Sequence, residues 1–228
     1  MSVFVLTREP AFPHPSLADT DGLLAIGGDL SEKRLIQAYS LGIFPWYGPG
    51  TPILWWSPEP RLILYHSQLH IPRSLRRTLN SGKFRISADT AFKEVVELCS
   101  RVSRPGGHGT WILPEMIDAY VKLHDSGFAH SFEVWVESEL VGGIYGVAIG
   151  KAFFGESMFY LKPDASKVAL IHLSNYLEEH SFHFMDCQQT TRHMLRFGAR
   201  EISRDKFLKE LEPAVAEKDA PGLWKYSA

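Results

Sequence analysis

Polar residues are nearly absent from two consecutive stretches, 140–149 and 152–159, where apolar, β-branched and aromatic side chains follow one another. Gly150-Lys151 between them predicts a tight hairpin turn. Runs that are apolar on both faces predict strands covered on both sides, in the middle of a domain. Glu156 interrupts the second run, and a carboxylate on a central strand is costly to bury unless it is paired or used. Gly142, Gly143, Gly146 and Gly155 leave nothing to pack, which suits a ligand lying close to the backbone. A third apolar stretch, Phe182-His-Phe-Met185, runs into Asp186-Cys-Gln188. Strand alternation would aim Asp186 and Gln188 to one side and the Cys187 thiol to the other, as a packing group.

The remaining pattern predicts supporting elements. Val3–Leu6 reads as a short strand, and a helix starting at Ser31 has an apolar face of Leu35, Ile36 and Tyr39 before Gly42 stops it. Five prolines between residues 45 and 60 confine Trp46, Trp55 and Trp56 to loops or short edge strands, as a small core or a stacking platform. Arg61–Tyr65 reads as a strand, and a domain boundary falls near residue 62. A basic helix follows over 71–79. The next has Phe92, Val95, Val96 and Cys99 at core spacing, with Asp89 as a possible cap. A helix entered at Pro114 shows Ile117, Tyr120, Val121 and His124 on one face. A strand over 131–136, a helix over 166–180 with Leu170, Leu173 and Leu177 inward, and short helices near 193–197 and 205–211 complete the chain. Strands followed by alternating helix and strand predict a mixed α/β fold, with a small N-terminal domain over 1–62 and a second domain over 63–228. The order from residue 131 resembles the second half of the GCN5-related N-acetyltransferase fold.

Composition places the chain among ordinary globular proteins: 228 residues, 45% hydrophobic, 22% charged. No membrane-spanning run and no signal peptide are evident. Two cysteines, Cys99 and Cys187, give no disulfide framework, so a cytoplasmic location is expected. The net charge of −2 hides an asymmetry. Residues 61–110 hold nine Lys/Arg against three Asp/Glu, and residues 111–186 hold four against eleven. Such blocks are commonly solvated faces, but they also fit one anionic and one cationic partner. The histidines are scattered without metal-ligand spacing, so no metal and no cofactor are expected. Arg104-Pro-Gly-Gly-His-Gly109 matches the glycine loop of acetyl-CoA-dependent acetyltransferases, but it lies upstream of the hairpin and runs into Thr110-Trp-Ile rather than opening a helix, so the match is discounted.

Several ordered motifs carry a more specific resemblance: Gly42-Ile-Phe-Pro-Trp46, Trp55-Trp-Ser-Pro58, Gly109-Thr-Trp111, Gly142-Gly-Ile-Tyr-Gly146, Gly155-Glu-Ser-Met-Phe159 and Met185-Asp-Cys-Gln188. Together, over nearly the whole chain, they resemble the leucyl/phenylalanyl-tRNA–protein transferase family. The resemblance implies a cytoplasmic enzyme with an acetyltransferase-like C-terminal domain and no membrane association. It would move Leu or Phe, and less readily Met, from aminoacyl-tRNA to the N-terminal Arg or Lys of a protein, marking it for degradation. It places Trp46 and Trp111 around the 3′-terminal adenosine and Ile144, Phe153 and Met158 around the aminoacyl side chain. Ile144 stands where Met is expected, and Thr191 where Asn is expected. For aminolysis of an ester, Asp186 is the base or orienting carboxylate and Gln188 holds the attacking nitrogen. Glu156 pairs with the acceptor's cation or shares proton handling, and the cluster Arg73, Arg76 and Arg77 is expected to meet tRNA phosphates. Two rival readings of the same residues are an acyl-CoA-dependent N-acyltransferase and a non-catalytic RNA-binding protein.

Overall fold

The structure is a computed structural model that describes residues 3–102, 111–217 and 221–228. The glycine loop at 104–109 lies outside the described residues. Four short strands, β1 (Phe4–Leu6), β2 (Leu23–Gly27), β3 (Phe44–Pro45) and β4 (Leu54–Trp56), form one mixed sheet in the order β1-β2-β4-β3. Seven more form the main sheet: β5 (Arg61–Leu64), β6 (Arg85–Ala88), β7 (Ala129–Val136), β8 (Glu139–Ile149), β9 (Ala152–Tyr160), β10 (Phe184–Asp186) and β11 (Arg200–Ile202). Their order is β11-β5-β10-β9-β8-β7-β6, antiparallel except where β10 runs parallel to β9. The fold is a mixed α/β layer structure.

Helices cover both faces of the main sheet. Helices α1 (Glu32–Ser40), α3 (Phe92–Arg101), α4 (Pro114–Asp125) and α7 (Arg204–Ala216) pack on one side. On the other lie α2 (Arg73–Leu79), α5 (Ala165–Glu179) and α6 (Arg192–Arg196). The predicted faces of α3 and α5 are buried, and α5 is buried almost all round. Helix α4 instead buries Met116, Ala119, Tyr120 and Leu123, with Ile117 and Val121 only partly covered. Apolar residues flank both faces of that helix, so spacing alone selects the wrong stripe. Asp89 does not cap α3. Its backbone is left-handed at φ 54, and its carboxylate accepts from the Ser131 and Trp224 amides and pairs with His130.

The hairpin turns at residues 150–151, and one irregularity inside it governs everything downstream. Tyr145 stands opposite Ser157 and Gly146 opposite Gly155, so Glu156 is an extra residue, a β-bulge. The bulge reverses the alternation. Phe154 and Phe159, five residues apart, both join the core beneath α1, α3 and α4, while Phe153 and Met158 both face α5. Gly146 is required beside it, because a Cβ there would sit 2.2 Å from the Phe154 carbonyl oxygen and 2.6 Å from the Phe153 ring.

Candidate active site

Glu156 projects from the bulge toward α1 and α4 into a set of hydroxyls. The Tyr39 hydroxyl lies 2.8 Å from Oε1 and the Tyr120 hydroxyl 2.9 Å from Oε2, with the two phenol oxygens 2.6 Å apart. The Gln188 side-chain amide donates to Oε1 at 2.7 Å. Burial pushes the Glu156 carboxyl up to about 7, the surrounding donors pull against that, and nearby Asp186 adds to it. Burial likewise pushes both phenols well above their usual range, with the Glu156 charge next in weight.

Asp186 occupies a different environment. It is fully buried and gripped by Arg61, whose Nε donates to Oδ1 at 2.8 Å and whose Nη2 donates to Oδ2 at 2.6 Å. The Arg61 guanidinium itself lies over the rings of Phe44 and Phe207, 5.0 and 4.4 Å from their centroids. β10 ends at Asp186, and Gln188 has left-handed backbone at φ 61 with its N–H donating to Asp186 Oδ1 at 2.8 Å. Strand alternation therefore does not set the direction of Gln188. The carboxylate of Asp186 does, by holding the turn that aims Gln188 at Glu156.

Two adjoining cavities open at this point. The larger, about 350 Å³, is walled by Ile144, Met158, Phe159, Met185 and Met194, with Ser166 and His193 at its polar edge. The smaller, about 170 Å³, lies between Phe44, Trp46, Trp111, Gln188 and Gln189. Gly155, Glu156, Cys187 and Thr191 border both. Of the three tryptophans between residues 45 and 60, Trp55 is core, whereas Trp46 is 37% exposed and lines the smaller cavity. Burial raises the Cys187 thiol well above its usual range, in keeping with a packing group.

The structure thus gathers Glu156, Gln188, Trp46, Trp111, Ile144 and Met158 around one space. Phe153 and Asp186 line neither cavity. Phe153 is fully buried, its ring 5.9 Å from that of Trp224. Arg73, Arg76 and Arg77 are exposed on α2, which reaches the cavity region through α5: Thr78 donates to Asp164, two residues before Ser166. Lys167 and Arg196 continue that basic surface to His193, whose ring burial and these two cations hold below its usual range. Tyr39, Tyr120 and Arg61 stand outside the site residues expected from the sequence. Only Arg61 left a signal, as a charge opening the apolar strand Arg61-Leu-Ile-Leu64. Among the described residues no group of three or more His, Cys, Asp or Glu could hold a metal, and no helix is long and apolar enough to cross a membrane.

A family model described as leucyl/phenylalanyl-tRNA protein transferase matches residues 63–212, and one for the N-terminal domain of the same enzymes matches residues 28–59. The chain belongs to that family. A leucyl/phenylalanyl-tRNA–protein transferase from Anaeromyxobacter sp. (strain Fw109-5) is 55% identical over the whole chain and 97% of its own length. Another, from Oleidesulfovibrio alaskensis, is 55% identical over 99% of the chain and 93% of its own length. A GCN5-related N-acetyltransferase from Kribbella flavida covers 72% of the chain at 9% identity and a TM-score of 0.38, a slight likeness. The chain is therefore a Leu/Phe-tRNA–protein transferase, an enzyme acting on aminoacyl-tRNA and a protein.

Proposed function

We propose that this transferase moves Leu or Phe, and less readily Met, from aminoacyl-tRNA to the α-amine of cytoplasmic proteins beginning with Arg or Lys, marking them for degradation. The observation that carries this reading is the pair of cavities sharing Glu156. One is apolar and of side-chain size; the other is walled by tryptophans and leads to a carboxylate. In this reading the aminoacyl side chain fills the larger cavity against Ile144, Met158 and Met185, and the terminal adenosine stacks on Trp46 and Trp111. Phe153 backs the pocket from the core rather than touching the ligand. An apolar pocket separates ligands differing by a methylene by only about 1–3 kcal/mol, so a pocket walled in part by flexible Met158, Met185 and Met194 accepts all three residues with graded preference.

The reaction is attack of an amine on an ester carbonyl. An N-terminal amine has a pKa of about 8, so a fraction is already neutral near pH 7. Alignment then matters more than a strong base. Gln188 spends its amide N–H on Glu156, leaving its carbonyl oxygen to accept from the attacking nitrogen. Of the two roles open to Asp186, orientation is the better supported, since Arg61 occupies both of its oxygens. Glu156, bordering both cavities, pairs with the cationic side chain of the acceptor. The boundary near residue 62 and an acetyltransferase-like domain after it belong to the same proposal. They are supported by the break between the two sheets, from Trp56 to Arg61. Transfer of radiolabelled Phe from Phe-tRNA to otherwise identical proteins beginning with Arg, Lys or Ala tests the reading. Label on the Arg and Lys proteins alone is expected; equal labelling of the Ala protein overturns the acceptor assignment.

A further inference from the structure

The three contacts joining Tyr39, Tyr120 and Glu156 close a ring: Tyr39 to Oε1, Oε2 to Tyr120, and Tyr120 back to Tyr39. Each of these contacts needs one proton between its two oxygens. The phenols supply two. With an ionised Glu156 taking both, the phenol oxygens would face each other at 2.6 Å with lone pairs alone between them. A third proton, on the carboxyl, completes the ring. Gln188 donates to Oε1, which identifies Oε1 as the carbonyl oxygen and Oε2 as the O–H. The protons then run one way round: Oε2–H to Tyr120, Tyr120 to Tyr39, Tyr39 to Oε1. The other groups facing the carboxyl agree with this. Among the described residues they are Tyr145 of β8, Asp186 with its partner Arg61, Cys187 and, across the larger cavity, His193; the guanidinium among them, that of Arg61, is held by Asp186.

We propose that Tyr39 and Tyr120 are positioning residues that hold Glu156 as a neutral acid in the unliganded enzyme, so that a cationic acceptor side chain binds by displacing that one proton. This rests on the reading of Glu156 as the cation's partner. The step balances simply: the O–H bond of Glu156 breaks, its proton passes to solvent, and the carboxylate left behind pairs with the acceptor's ammonium or guanidinium. Both phenols then donate to the carboxylate, and their mutual contact lengthens. A neutral site also spares the empty enzyme a desolvated charge beside Asp186. An amine with no cationic side chain gives the proton no reason to leave, so the device favours Arg and Lys without repelling the neutral α-amine that must react.

An infrared difference spectrum, wild type minus Glu156→Gln, reads the ring directly. At about pH 6 it should show the carbonyl stretch of a protonated carboxyl. In Tyr120→Phe, which removes the acceptor of the acid's O–H, that band should move to higher frequency. A carboxylate band alone in the wild type at that pH overturns the proposal. Calorimetric titration with an Arg-first peptide, in buffers of different ionisation enthalpy, reads the coupling. Release approaching one proton per peptide is expected at about pH 6, falling toward zero at about pH 8. Binding without proton release at the lower pH overturns the coupling. Equal affinity for Arg-first and Ala-first peptides would instead remove the reading of Glu156 as the cation's partner, whatever the infrared band shows.

Discussion

Arg61 and Asp186 show how a buried pair can shape a candidate site without lining its cavities. Both are fully buried, and each satisfies the other's charge. Removing one partner leaves an uncompensated ion in the core, which costs about 3–5 kcal/mol. Asp186→Ala is therefore expected to lose that much stability in urea unfolding, so its lost activity reports a collapsed turn as well as chemistry. Glu156 behaves differently. Its folded-state pKa of about 7 lies above the ordinary 4.5, so it retains a proton that the unfolded chain releases. Its contribution is intact below pH 4.5 and is lost as pH rises through about 7. Glu156→Gln should then gain stability over wild type between about pH 5 and pH 8, by about 1–2 kcal/mol after allowing for its partial exposure to the cavities. A gap that does not change with pH would contradict this. Glu156, Asp186 and Gln188 were legible in the sequence because polar groups stand out in apolar strands. Tyr39 and Tyr120 were not, because a tyrosine on the buried stripe of an amphipathic helix looks the same whether its hydroxyl serves a site or only packs.

At the scale of elements, the hairpin of β8 and β9 was legible from composition, but the bulge within it was not. The pattern of apolar residues on both faces hides a reversal of alternation, since neither face is marked by polarity. Phe153 illustrates the cost of that ambiguity. It was expected at the pocket, yet it packs behind it against Trp224. Strands β2, β6 and β11 escaped notice because three to five residues without alternation carry little signal. The bulge leaves β8 no room opposite Glu156. Gly146→Ala must displace either the Phe154 carbonyl or the Phe153 ring, and overpacking of this kind costs about 1–3 kcal/mol. Thermal unfolding should show that loss together with weakened binding of the aminoacyl donor, as Phe153 is pushed toward the cavity. An unaltered melting temperature would mean that the sheet yields there without strain.

Across the whole molecule, the asymmetry of charge along the chain resolves into place. The basic block supplies the exposed face of α2, next to Lys167 and Arg196, while the acidic block supplies Glu156, which borders both cavities, and Asp186, buried behind it. If that face meets tRNA phosphates, reversing Arg73, Arg76 and Arg77 lowers tRNA affinity and reduces the slope of log affinity against log salt by about one for each lost contact. Unchanged affinity and slope would exclude α2 from the tRNA path. The last residues add a further cover: Tyr226 and Ala228 bond to β6, closing the sheet edge that would otherwise be open. The wall shared by the two cavities reaches beyond catalysis, to ligands. Two fragments that each fill one cavity lose their freedom separately, whereas one molecule that spans Glu156 loses it once. Joining an apolar aminoacyl mimic to a purine ring that stacks on Trp46 and Trp111 should therefore raise affinity about 10²–10⁴-fold over either piece, as competition binding would measure, provided the tether bends around a single carboxyl group.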